Sequence, residues 1–197
     1  MKTLLTLTFI IALGLTNYSS SFAQEKELSK EEKKELRKEK KTKRKAERKL
    51  YEEARHKEAS QALKNFDFVL EAHTLYNKRG HSKTVSDNLN FISVKGKKAV
   101  VQLVLNDYKS GKNGLGGITI SGKISSEKYT EDKNGNQFLS FKVMGPVLNA
   151  EVRISLGSSG NDADANVDAT TRSNKIKFRG KLLPTDKSTI YQSGIEY

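Results

Sequence analysis

From Phe66 onward the chain alternates apolar and polar residues with a period of two. Phe66, Phe68, Leu70 and Ala72 share one parity, and Asp67 and Glu71 take the other. Phe91–Val94 and Ala99–Leu105 flank Lys95-Gly96-Lys97-Lys98, a plausible hairpin turn. Ile118, Ile120 and Ile124 alternate through Gly122, and Leu139, Phe141 and Val143 follow the turn Asn134-Gly135-Asn136. The cleanest run is Leu148, Ala150, Val152, Ile154 and Leu156, ended by Gly157-Ser158-Ser159-Gly160. Ala163, Ala165, Val167 and Ala169 come next, then Ile176, Phe178 and Leu182. Period-two runs between Gly and Asn turns predict antiparallel strands with one buried face. The expected fold is mainly β, with about eight antiparallel strands. They form a curved sheet, a sandwich or a partly closed barrel, preceded by one long charged α-helix.

The helix is announced by its start. Ser29 stands three residues before Glu32, the spacing of a capping box. No Gly or Pro follows for more than 35 residues, and Lys, Glu, Arg, Ala and Leu dominate. These side chains lose little rotamer freedom in a helix. Glu31–Lys34, Glu35–Lys38 and Glu52–Arg55 are opposite charges three apart, each worth a few tenths of a kcal/mol. A helix from Lys30 to near Lys64 is about 50 Å long. Between Lys30 and Lys49 only Leu36 and Ala46 are apolar, so no apolar stripe exists, and Lys43 and Lys57 interrupt any heptad begun by Leu36 and Leu50. From Leu50 onward Tyr51, Ala54, Ala59, Ala62 and Leu63 offer a surface to rest on the following domain.

Ahead of the helix, Lys2, the apolar run Leu4–Leu15 and the ending Ser21-Phe22-Ala23 have the form of a cleaved export signal. The run of 12 residues is short of the roughly 20 that span a bilayer. Cleavage after Ala23 is expected, with three segments: signal peptide 1–23, charged helical segment 24–60 and β-domain 61–197. No second hydrophobic stretch follows, so no transmembrane segment is expected in the mature chain. The expected location is the periplasm or cell envelope of a bacterium. The absence of cysteine excludes a lipidated cysteine, disulfides, thiolate metal sites and thiol nucleophiles.

The formal charge is +13. Residues 25–58 hold 15 basic and 10 acidic side chains, and residues 59–197 hold 20 and 13, so both parts are basic. Nucleic acid is the usual partner of such a charge, but an exported protein rarely meets it. The expected counter-surface is an anionic envelope surface or another envelope protein. The densest basic stretch nominates Lys40, Lys41, Lys43, Arg44, Lys45 and Arg48 as its contacts. The competing reading makes this stretch a solvated spacer.

Motifs that carry chemistry fail on inspection. Gly117 to Lys123 matches most of a phosphate-binding loop, but Ile124 stands where Ser or Thr must hold magnesium, and the segment alternates as a strand. Asp162, Asp164, Asn166 and Asp168 resemble the start of an EF-hand loop. Val167 replaces its Gly and Ser173 its closing Glu, and alternate residues of a strand stand roughly 6.5–7 Å apart. A polar outer strand face is the better reading. His56, His73 and His81 lack zinc-protease spacing, and no Gly-x-Ser-x-Gly elbow occurs. Asp67 and Glu71 share a strand face, and solvation accounts for them. No catalytic, cofactor or metal residue is assigned, and no enzyme is expected.

The order of weak motifs carries a resemblance. Phe66-x-Phe68 with Glu71-Ala72 is followed by Gly116-Gly117-Ile118 with Gly122 and Tyr129, then by Ser140-Phe141-Lys142-Val143. A closing pattern runs through Ala163, Val167, Arg172, Ile176, Phe178 and Gly180. This order resembles the exported bacterial domain-of-unknown-function family numbered 4251, over nearly the whole mature chain. Phe178 stands where the family pattern has Tyr, and the tail beyond Leu183, with Tyr191 to Ile195, is longer. The resemblance implies no activity, cofactor or catalytic residue. The function expected is a non-enzymatic binding or structural module of the envelope or periplasm, with the helix as spacer or tether. The alternative is a small-ligand carrier or hydrolase with a cavity inside the β-domain.

Overall fold

The ladder that decides the architecture joins the first and last strands of the β-region. The computed structural model describes residues 29–105, 114–146, 148–169 and 174–192. The expected signal sequence, Arg172, Ser173 and the tail beyond Gln192 lie outside them. Helix α1 (Lys30–Lys64) is followed by β1 (Asp67–Tyr76), β2 (Ser82–Thr84), β3 (Phe91–Lys95), β4 (Lys98–Val104) and β5 (Gly117–Glu131). Then come β6 (Gln137–Met144), β7 (Asn149–Leu156), β8 (Asp162–Ala169) and β9 (Asn174–Pro184), and a 3-10 turn Thr185–Lys187. Strands β1 and β3 to β9 pair antiparallel in chain order, and β9 returns to β1 from Phe68↔Pro184 to Tyr76↔Lys177. The result is a closed eight-stranded barrel. Strand β2 adds to the far end of β1, on the edge that β3 occupies nearer the start. Of the three architectures the alternation allows, closure of the β1–β9 seam selects the barrel. Gly180 sits in that seam opposite Ala72, where a β-carbon would overlap the Glu71 carbonyl oxygen.

Inward positions are filled by buried apolar side chains. Phe68, Leu70, Ile92, Leu139, Phe141, Ile154, Phe178 and Leu182 form one core, and the small Ala163 and Ala165 lie among them. An eight-stranded barrel has an interior that side chains can just fill. The parity holds cleanly along β7, whose alternate residues Ala150, Val152, Ile154 and Leu156 are buried. It breaks at two bulges. The register of β1 slips between Ala72 and Thr74, so that Leu75 is buried after Ala72. In β5 it slips between Ser125 and Lys128, with Ser126 at φ 55°, where the strand has passed from β4 to β6. Extra residues of this kind bend a strand and turn its later side chains over.

The helix begins as its capping box requires. The Ser29 N–H donates to Glu32 Oε2 at 2.8 Å, and the Glu32 N–H to Ser29 Oγ at 3.2 Å. The helical ion pairs that form are Arg48–Glu52 (2.7 Å) and Lys49–Glu53 (3.7 Å), four residues apart rather than three. One compact unit runs from Arg44 to Tyr197. Within it the last turns of α1 close one end of the barrel, and Ala59, Ala62 and Leu63 join the core. His56 Nδ1 donates to the Gly160 carbonyl (3.1 Å), and Gln137 Nε2 to Ser60 Oγ (2.7 Å). Lys64 pairs with Glu131 (3.3 Å) and Lys187 with Glu58 (2.8 Å). Phe66, at φ 55°, turns the chain from helix into β1.

A second layer lies on the outer wall. Val69, Phe91, Gln102 and Thr119 are buried although their parity faces outward. The segment after β9 lies against them. Gln102 Nε2 donates to the carbonyls of Leu89 (3.0 Å) and Tyr191 (2.8 Å), and Thr119 Oγ1 donates to Gln102 Oε1 (3.1 Å). Glu71 Oε1 accepts from Ser188 Oγ (2.6 Å) and the Thr189 N–H (3.1 Å).

Candidate functional site

The acidic motif of β8 is part of a charge ladder. The register sets Asp162 opposite Lys181, Asp164 opposite Arg179, Asn166 opposite Lys177 and Asp168 opposite Lys175. Ion pairs follow it: Asp162–Lys181 at 2.6 Å, Asp164–Arg179 at 2.8 Å and Asp168–Lys175 at 3.6 Å. Asp164 is forked by Arg179, whose Nε and Nη2 reach its two oxygens at 2.8 and 3.1 Å, and Lys177 adds a contact at 2.9 Å. Burial alone would raise the Asp164 pKa. The hydrogen bonds from Arg179 and Lys177 outweigh it and hold the carboxyl below the ordinary range. Tyr76 lies beneath the Arg179 guanidinium, 5.5 Å from its ring centre. These carboxylates serve strand register as a polar outer face. Among the described residues no group of three His, Cys, Asp or Glu side chains is placed to share a metal ion.

Other sequence candidates are accounted for locally. Gly117 to Lys123 lies within strand β5, and a β-carbon at Gly122 would overlap the Met144 carbonyl oxygen. Close backbone approach, not phosphate, explains that glycine. His56 holds the β7–β8 turn as described above. His73 Nδ1 lies 2.9 Å from Thr74 Oγ1, and the backbone N–H of His81 donates to Asn77 Oδ1 at 3.1 Å. The three histidines therefore serve three different local structures. Among the described residues several hollows open on the surface, one of them lined by the cations Lys78, Arg79 and Lys175, and two take in the acidic motif of β8. Of these two, one of about 550 Å³ is lined by the outward row Lys142, Glu151, Asp168 and Lys175 with Met144 and Asn149. The other, of about 460 Å³, lies between His73, Ser155, Asp164 and Arg179. Their cations and carboxylates stand in alternation, so neither presents a field of one sign.

The helix differs in this respect. Every residue from Lys30 to Tyr51 is exposed. Successive residues of an α-helix turn by about 100°. On that wheel, every Lys and Arg from Lys30 to Arg48 except Lys43 falls within one arc of about 160°, and no other residue type falls there. Of the six nominated contacts, Lys40, Lys41, Arg44, Lys45 and Arg48 lie on this arc. Lys43 stands on the other side among Glu31, Glu32, Glu35, Glu39 and Glu47. Arg48 at the end of the arc is engaged by Glu52. The arc gains five further cations that a linear reading of the dense stretch passes over: Lys30, Lys33, Lys34, Arg37 and Lys38. The signal is in the sequence, but it appears only when the helix wheel is sorted by sign rather than by hydropathy. Among the described residues no helix is long and apolar enough to cross a membrane.

Comparison with known proteins gives the fold its family. Residues 51–182 match the family described as Domain of unknown function (DUF4251). A solved crystal structure of a DUF4251 family protein from Bacteroides eggerthii DSM 20697 superposes with a TM-score of 0.63 at 32% identity. The match covers 71% of this chain and 94% of that one. No curated protein matches the chain. The matched span takes in the end of α1, the bulged β1, the strand holding Gly122 and the β8–β9 ladder, and the chain belongs to the DUF4251 family.

Proposed function

We propose that this is an exported protein of the bacterial periplasm or cell envelope, a non-enzymatic binding or structural module whose basic helix contacts an anionic envelope surface. The observation that carries the reading is the one-signed arc of α1, with ten cations from Lys30 to Arg48, of which Arg48 is paired with Glu52, and no carboxylate among them along that stretch. A basic field of this kind raises the local concentration of anionic partners and is screened by salt. The packed interior of the barrel, filled by Phe68, Phe141, Phe178 and Leu182, supports a solid module rather than a carrier with a ligand lumen. The export reading rests on the sequence of residues 1–23. The test is co-sedimentation of the processed chain with anionic vesicles or isolated envelope polymer over a salt series. Binding at low ionic strength that weakens with salt, and that disappears when Lys26–Arg48 is deleted, supports the reading. No binding at low ionic strength overturns it.

A further inference from the structure

We propose that α1 docks side-on against the headgroup plane of an anionic phospholipid bilayer, its axis parallel to the membrane, with Glu32, Glu35 and Glu39 turned away. This rests on the surface-contact reading above and adds the occupant and the orientation. The first argument is the cost of the arrangement. Residues four apart on a helix are neighbours, and like charges there oppose helix formation by about 0.2–0.5 kcal/mol per pair. Lys30–Lys34, Lys33–Arg37, Arg37–Lys41, Lys40–Arg44, Lys41–Lys45 and Arg44–Arg48 are all such pairs. Opposite charges at that spacing occur only in Glu39–Lys43 and Lys43–Glu47 along this stretch, and three apart only in Glu31–Lys34, Glu35–Lys38 and Arg44–Glu47, fewer than the like-charged pairs. A helix serving only as a solvated spacer is more stable with the signs interleaved. Segregation works against the helix and is left to be explained by something outside it.

The second argument is shape. Lys30, Lys34, Arg37, Lys41, Arg44 and Arg48 follow one line along the helix, within about 40° of the centre of the arc and spanning about 27 Å. The other cations flank this line on both sides. A band as wide as the helix itself matches a plane, whereas a thread-like polyanion needs only a ridge. The third argument is composition. The arc has no apolar side chain to insert into lipid, and residues 30–48 contain no aromatic ring on which a base or sugar could stack. What remains is a purely electrostatic contact with closely spaced negative headgroups, of about 1 kcal/mol per basic residue near the surface. Glu32 and Glu39 lie about 160–180° from the central line, where they face away from the lipid charge.

The test keeps composition fixed. A shuffled chain carries Lys30→Glu with Glu31→Lys, Lys34→Glu with Glu35→Lys, and Arg37→Glu with Glu39→Arg. Net charge is unchanged, Ser29 and Glu32 still cap the helix, and circular dichroism checks that helix content is kept. Partition onto vesicles of phosphatidylglycerol and phosphatidylcholine at low ionic strength should fall by about a hundredfold. In a second variant, Glu35→Lys with Glu39→Lys adds charge on the face away from the lipid, and partition should rise by less than about threefold. If the unaltered chain does not bind these vesicles, the surface-contact reading itself falls. If it binds and the shuffled chain binds as well, or the second variant binds far more tightly, net charge is the cause and side-on docking is wrong. Tighter binding to soluble linear polyphosphate than to the vesicles would assign the arc to a polymer and overturn the membrane proposal.

Discussion

Leu63 tests whether the end of α1 belongs to the folding unit of the barrel. Its side chain is 0% exposed and joins the same core as Phe68 and Leu156, although it lies in the helix. Truncating a buried leucine to alanine removes its transfer energy and leaves a cavity, at about 2–5 kcal/mol. The neighbours of Leu63 are held by barrel hydrogen bonding and cannot collapse onto the gap, so a value of about 3 kcal/mol is expected for Leu63→Ala. Leu50, in the same helix and 67% exposed, is the control, and Leu50→Ala should change stability by less than about 0.5 kcal/mol. With a urea dependence of about 2 kcal/mol per molar, the Leu63→Ala midpoint should fall by about 1.5 M. Both chains would be unfolded in urea and followed by circular dichroism at a wavelength that reports the strands. Equal midpoints for the two variants would refute the reasoning, and the helix end would then rest on a barrel that is stable without it.

Two further outcomes follow from the seam and the ladder. Gly180→Ala should destabilise the protein by about 3 kcal/mol, since the added carbon meets backbone at Glu71 and Ala72 rather than a movable side chain. Gly157→Ala, which meets nothing within 4 Å, should be tolerated in the same thermal melt, and similar losses in both would contradict the close approach. Asp164→Asn tests the ladder by pH. The folded-state pKa of Asp164 is depressed, so its contribution is present above the unfolded value of about 3.9 and is lost as pH falls through the folded value. The urea midpoints of the parent and Asp164→Asn should differ at neutral pH and converge in acid as the carboxylate becomes protonated in both states, and a constant difference would show that the charge is not what matters.

How much of this was legible depends on what each pattern encodes. The strand β7 reads directly because nothing interrupts its period. The parity of β1 and β5 fails at their bulges, where one extra residue reverses every later side chain, and no residue type announces the slip. The outer layer was hidden for a different reason. Val69 sits between Phe68 and Leu70 in an apolar run that breaks alternation, which is a signal of burial on both faces. The cover comes from Ser188 to Tyr191, more than 100 residues later, and only the unusual length of that tail pointed to it. The β8–β9 ladder was half legible. Asp162, Asp164 and Asp168 read as an outer face, and the answering period of Lys175, Lys177, Arg179 and Lys181 was equally present. Closure of the barrel was not legible, since Gly180 opposite Ala72 has meaning only once the two strands meet.

The charges themselves divide by use. On the β-region many are consumed by the fold: Asp162, Asp164 and Asp168 by cations of β9, Glu131 by Lys64, Glu127 by Lys97 at 2.8 Å. These pairs fix register and fasten loops, and their removal would be felt as altered stability. Along α1 the ion pairs within 4 Å among the described residues begin only at Arg48–Glu52. From Lys30 to Glu47 the cations are exposed and stand more often beside cations than beside carboxylates. Exposed pairs contribute little even when formed, and like-charge neighbours subtract from helix stability. Neutralising cations of this stretch should therefore leave the unfolding midpoint unchanged or raise it slightly, while an equal number of neutralisations in the β8–β9 ladder lowers it. That opposite response separates charge that the fold uses from charge it only carries, and it is the second kind that a surface contact requires.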